Sequence, residues 1–134
     1  MSGSRRSPDD PREWLRRANS SFLKAKQGSD IPGIYLEDLC YDAQQAAEKA
    51  LKAVLIYLDK PFPYVHDLAV LITGLEEGGL NIPDGVKLAA GLTDYAVEAR
   101  YPGAFEPVAQ DEYKEAVELA EEVLRWAKAV VGAP

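Results

Sequence analysis

The sequence predicts an all-α fold: an up-and-down bundle of four to five helices. Apolar residues recur at i, i+3 and i+4 through five segments, and proline and glycine mark where those segments end. The connections between the long segments are short, which suits antiparallel neighbours. Residues 1–9 read as a flexible N-terminal arm, and residues 10–134 as a single helical domain.

In the first helix Asp10 is the expected N-cap, Pro11 the first helical residue, and Glu13 the partner of a capping-box-like pair. Trp14, Leu15, Ala18, Phe22 and Ala25 form the apolar stripe, leaving Arg12, Arg16, Arg17 and Lys24 on the other side. Gly28 and the Pro32-Gly33 turn close this element.

The second helix is expected from about Tyr35 to Leu58, roughly 36 Å long at 1.5 Å per residue. Leu36, Leu39, Cys40, Ala43, Ala47, Ala50, Leu51, Val54 and Leu58 hold the pattern. Its alanines favour the helical state and allow a neighbouring helix to approach closely. This long, alanine-rich helix motivates the expectation of a homodimer. Pro61-Phe62-Pro63 ends the element.

A short third helix is predicted from His66 to Glu77, with Leu68, Leu71, Ile72 and Leu75 inward, stopped by Gly78-Gly79. A fourth runs from Pro83 to near Arg100, because Pro102 disfavours α geometry at Tyr101. Gly91 either weakens it by about 1 kcal/mol or marks a close helix contact. The last helix, Asp111 to Val131, buries Tyr113, Ala116, Val117, Ala120, Val123, Leu124, Ala127 and Val131.

A chain of 134 residues is long enough for one self-sufficient core. The single cysteine, Cys40, excludes an internal disulfide and suits a reducing compartment. With no apolar run near 18 residues and a polar start, the expected location is the cytoplasm. The net charge of −7 is uneven: residues 1–27 hold seven basic and three acidic residues, the remainder eight and nineteen. An acidic body argues against non-specific binding of polyanions over the whole surface, while the basic first helix permits a narrower contact.

Few side chains suggest chemistry directly. Gln44, Gln45, Glu48, Lys49 and Lys52 read as a polar, solvated side of the second helix, where Glu48 and Lys52 form an i, i+4 pair worth about 0.2–0.5 kcal/mol. Tyr41, Tyr57, Tyr95 and Tyr101 offer faces for base stacking, though aromatics at helical spacing more often fill cores or interfaces. Cys40 reads as a small buried hydrophobe. One histidine and one cysteine cannot build a zinc site, and Gly78-Gly79 lacks the lysine and spacing of a phosphate loop. No metal or other cofactor is expected.

Three segments carry a resemblance: Cys40-Tyr41-Asp42-Ala43-Gln44-Gln45-Ala46-Ala47-Glu48-Lys49-Ala50-Leu51-Lys52-Ala53, Tyr64-Val65-His66-Asp67-Leu68, and Arg100-Tyr101-Pro102-Gly103. Together they resemble the HEPN family (higher eukaryote and prokaryote nucleotide-binding), in particular its small prokaryotic members. The resemblance implies a helical bundle, usually a homodimer around a shared cleft. It also implies action beside a minimal nucleotidyltransferase, in some members as toxin and antitoxin.

Ribonuclease members carry an arginine, then four to six residues, then a histidine. Arg100 matches that arginine by its place, but Tyr101 to Pro107 contain no histidine, and the only one, His66, lies upstream. The expected protein is therefore a non-catalytic HEPN protein that binds a nucleotide or RNA. Its candidate contacts are Arg100, Tyr101, His66, Asp67, Lys49 and Lys52, with Arg12, Arg16 and Arg17 as a contact for an anion or a partner. Plainer readings stand beside these. Arg100 complements the carbonyl end of its helix, Asp67 favours the positive start of the third helix while His66 packs or hydrogen-bonds between helices, and the first-helix arginines pair with carboxylates on the last helix such as Glu118 or Glu122. The alternatives in function are a divergent ribonuclease using Arg100 with His66 or Tyr101, and an interaction module with no nucleotide site.

Overall fold

The structure, a computed structural model, describes residues 10–62, 64–97 and 107–132. The expected arm at residues 1–9, together with Arg100 and Tyr101, lies outside the described residues. Among the described residues all regular structure is helical. It comprises α1 (Pro11–Gln27), a 3-10 turn (Gly28–Asp30), α2 (Leu36–Tyr57), α3 (Leu68–Glu77), α4 (Asp84–Leu88), a second 3-10 turn (Ala89–Thr93), α5 (Asp94–Val97) and α6 (Gln110–Val131). They form an up-and-down bundle.

The start of α1 follows its cap residues. Asp10 Oδ1 accepts from the Arg12 backbone N–H at 2.9 Å, and Pro11 occupies the first turn. The Glu13 carboxylate, by contrast, accepts from Arg16 Nε and Arg17 Nε, both at 3.0 Å. Residues three and four positions on lie over the same side of a helix, so both guanidinium groups reach it. Arg16 and Arg17 thus pair with Glu13 of the same helix, which corrects for these two the expected pairing with Glu118 or Glu122.

The far end of α1 is tied down twice. Tyr113 of α6 donates its hydroxyl proton to Ala25 O at 2.5 Å and approaches Lys26 O at 3.2 Å, meeting carbonyls that the helix end leaves without intrahelical partners. A Cβ on Gly28 would overlap a terminal methyl of buried Leu39, so a larger residue at the α1–α2 corner requires that side chain to shift.

Helix α2 occupies the centre, packed by α1, α3 and α6. Ala43, Ala46, Ala47, Ala50 and Ala53 are all fully buried within this one chain. The small residues therefore serve close packing inside the bundle. α1 and α2 run antiparallel, with Trp14 beside Lys52 and Lys24 paired with Asp42 at 3.4 Å further along.

α3 starts two residues later than predicted because Asp67 is its N-cap, accepting from Ala69 N at 3.0 Å. The expected fourth helix is interrupted by the 3-10 turn at Ala89–Thr93. There Ala89 and Leu92, three residues apart, are both buried, as a three-residue period requires. A Cβ on Gly91 would meet open space, so that glycine loosens the helix and marks no close contact.

Candidate functional site

The second helix departs from the sequence expectation at its polar row. Gln44, Glu48 and Lys52 were expected on a solvated face, yet they are 0%, 4% and 7% exposed. Their i, i+4 spacing does place them in one line. The error lay in what covers it: the α2–α3 connection folds back across the row. Asp59 turns the chain there with φ 58°, a left-handed conformation that aspartate tolerates better than most residues. The Asp59 and Lys60 backbone N–H groups bond Ile56 O and Leu55 O, each at 2.9 Å, closing the helix end.

Glu48 is the hub of the covered row. Its Oε2 accepts from Lys52 Nζ at 2.8 Å, and its Oε1 accepts from Gln44 Nε2 at 2.9 Å and from His66 Nδ1 at 2.9 Å. Gln44 Nε2 also approaches the His66 carbonyl at 3.4 Å, and Gln44 Oε1 accepts from Gln45 Nε2 at 2.8 Å. Burial pushes the Glu48 carboxyl pKa up, but hydrogen bonds from Lys52, Gln44 and His66, with the Lys52 charge, outweigh it and hold the group below its ordinary value. Among the described residues every buried side-chain nitrogen and oxygen has a partner.

Aromatic rings surround the Lys52 end of the row. Lys52 Nζ lies 5.2 Å from the Phe62 ring centroid and 6.0 Å from that of Trp14, within cation–π range. Trp14 and Phe62 meet edge to face at 5.7 Å, and Phe62 meets Tyr64 at 6.4 Å. These residues line an open groove of about 970 Å³ with Ile56, Asp59, Lys60 and Pro61. Tyr64 is 98% exposed, so its ring is spent on no core contact.

The structure brings some predicted site residues together and separates others. Lys52 and His66 share Glu48. Asp67 caps α3, and the plainer reading of the His66-Asp67 pair describes both residues. Lys49 points to the α1–α2 seam, where its Nζ donates to Ser21 Oγ at 3.0 Å. Its pKa is lowered, first by burial and then by the charges of Lys24 and Arg17, against a smaller opposing pull from Glu48 and Asp42. Arg12, Arg16 and Arg17 remain on the exposed side of α1. Tyr41 and Tyr57 are exposed, Tyr95 bonds Glu112, and Cys40 is fully buried. Sequence reasoning missed Trp14, Phe62 and Tyr64 as one wall. The available signal was a Pro-Phe-Pro-Tyr run directly after a helix carrying glutamine, glutamate and lysine at four-residue spacing.

A helical bundle wound around one long helix is an architecture shared with known proteins. By sequence the chain matches the HEPN domain over residues 11–130, and it belongs to that family. A crystal structure of ST0689, an archaeal HEPN homologue, is similar with a TM-score of 0.72 and 23% identity, over 91% of this chain and 98% of that one. TT1696 from Thermus thermophilus is similar with a TM-score of 0.74 and 32% identity, over 90% of this chain and 97% of that one. No curated protein matches the chain.

Proposed function

We propose that this HEPN protein is non-catalytic and holds a nucleotide, free or at an RNA end, in the groove of Trp14, Phe62 and Tyr64. The observation that carries the reading is a groove lined by half-buried Trp14 and Phe62 and by exposed Tyr64, with Lys60 and the Glu48-paired Lys52 at its side. Flat faces suit a base, and stacking is worth about 1–3 kcal/mol per base. The Lys60 ammonium suits phosphate. The non-catalytic part rests on the sequence from Arg100 to Pro107, which lacks the histidine that ribonuclease members place there. Action beside a minimal nucleotidyltransferase, in the manner of a toxin–antitoxin pair, follows from the family resemblance.

A second reading has one observation in its favour. The Gln44–Glu48–Lys52 row is fully partnered within the chain, which suits a rivet in a pure interaction module. Titrating the four ribonucleoside triphosphates and a short single-stranded RNA separates the two. Binding that falls about 5- to 150-fold in Tyr64→Ala, with an unchanged thermal melt, supports the groove. Absence of binding by all of these ligands removes the nucleotide reading and leaves the module. Metal-independent RNA degradation that Arg100→Ala abolishes refutes the non-catalytic reading.

A further inference from the structure

Lys49 stands apart from the other lysine of the central helix. Its Nζ crosses the α1–α2 seam to donate to Ser21 Oγ at 3.0 Å, and among the described residues it makes no ion pair. The two carboxylates whose charge acts on it are engaged elsewhere. Glu48 receives Lys52, Gln44 and His66, and Asp42 pairs with Lys24 at 3.4 Å.

Cations flank its hydroxyl partner instead. Arg17 and Lys24 lie four residues before Ser21 and three after it, so the three side chains share one side of α1. The side chains of Arg17 and Lys24 are 60% and 65% exposed, whereas Ser21 is buried and Lys49 half-buried. The amine thus sits in the seam with two cations at its mouth. Burial and these two charges both disfavour the proton on Lys49, and its pKa is lowered.

An ammonium has no lone pair, so a lysine attacks only as the neutral amine. That amine keeps two N–H groups: one can hold Ser21 Oγ while the lone pair turns to the mouth of the seam. A locally cationic mouth concentrates anions, which selects an anionic electrophile. It also stabilises an anionic leaving group. An acyl phosphate has both properties.

We propose that Lys49 is an acylation site, modified by acyl phosphates ahead of the more exposed lysines of the chain. Nζ attacks the carbonyl carbon; the N–C bond forms and the C–O bond to phosphate breaks. Phosphate leaves with the electron pair beside Arg17 and Lys24, and the nitrogen loses its surplus proton to water. The product is a neutral amide, so the α1–α2 seam loses one positive charge. Lys49 does not line the groove of Trp14, Phe62 and Tyr64, and the proposal stands independently of the nucleotide reading.

The experiment treats the intact protein with acetyl phosphate to low extent and reads each lysine by peptide mass spectrometry. Lys114 is the reference. It is exposed, and the residues three before and four after it on α6 are the carboxylates Asp111 and Glu118. Exposure alone puts Lys114 first. The proposal puts Lys49 first by about 10-fold, the low end of what a cationic site adds to the encounter rate of an anion. Salt at about 1 M, where the Debye length is about 3 Å, should lower that ratio. Arg17→Gln/Lys24→Gln should lower it at low salt, with a thermal melt to show that the variant is folded. A wild-type ratio of one or less overturns the proposal, and so does a ratio that salt leaves unchanged; both are read without any substitution.

Discussion

Replacing Lys52 by methionine removes one charge from the covered row and keeps most of the carbon chain. Lys52 and Glu48 are 9% and 6% exposed at their side chains, with 2.8 Å between Nζ and Oε2. Breaking a buried pair by removing one partner costs about 3–5 kcal/mol, because the remaining charge loses its compensation. Cation–π contacts to Phe62 and Trp14 add about 0.5–1 kcal/mol each where solvent reaches them. Against this, Glu48 keeps its hydrogen bonds from Gln44 and His66, and the open groove admits water to the lysine end. The expected loss is therefore about 3 kcal/mol, a large share of the roughly 5–15 kcal/mol that holds a domain folded.

The assay is urea denaturation followed by circular dichroism at neutral pH, for Lys52→Met, Glu48→Gln and the double variant. In the double variant no buried charge is left unpaired, so its loss should be smaller than the sum of the two single losses by at least about 1 kcal/mol. The pH dependence has a definite sign. The folded pKa of Glu48 lies below its ordinary value of 4.5. Its contribution is complete above that value and is lost as pH falls through it towards the lower folded pKa. Glu48→Gln should accordingly lose less stability than wild type on acidification. A Lys52→Met loss within about 1 kcal/mol of zero, as for an exposed pair, or strict additivity, refutes the reasoning.

Three further outcomes are expected. Gly28→Ala should lower the melting temperature through overpacking worth about 1–3 kcal/mol, since the new Cβ overlaps Leu39; an unchanged melt would show that the α1–α2 corner can relax. Light scattering at micromolar concentration should give a homodimer, and a mass of 14.7 kDa would refute it. Arg12→Ala/Arg16→Ala/Arg17→Ala should weaken RNA binding and flatten its salt dependence if these arginines meet phosphate. Unchanged affinity and slope would leave α1 as scaffold.

The fold was legible where local chemistry decides it. Asp10 and Pro11 specify the start of α1, Asp67 caps α3, and the period-3.6 stripes name most of the core. The polar row was not legible, for a physical reason. Periodicity says which residues share a face, but not which segment covers that face, and the 58–67 connection that does so has no period. The alanines misled in the same way. Five small residues on one helix require a close neighbour, and the pattern cannot distinguish a second copy of the chain from α1 and α6 of the same chain. The homodimer expectation therefore now rests on family resemblance rather than on those alanines. The break at Ala89–Thr93 lay below the resolution of the pattern, since buried residues three apart fit both helix types.

Placing glutamine, glutamate and lysine on the covered side of the central helix needs an explanation that stability alone does not supply. Well-packed apolar residues of similar volume would hold the bundle as firmly as a buried ion pair, and often better. What they would lack is direction. Glu48 binds the ring of His66, and Gln44 approaches the carbonyl of the same residue. The lysine between Trp14 and Phe62 draws both rings to one point. Leucine and methionine in this row would let the connection settle wherever its own apolar residues pack. The polar row instead ties it at His66 and Phe62, which leaves Tyr64, between the two, standing out from the surface. On the proposed reading that is the use of the network: it aims an aromatic face at the groove. An apolar row that preserved stability but weakened nucleotide binding would show the positioning role directly.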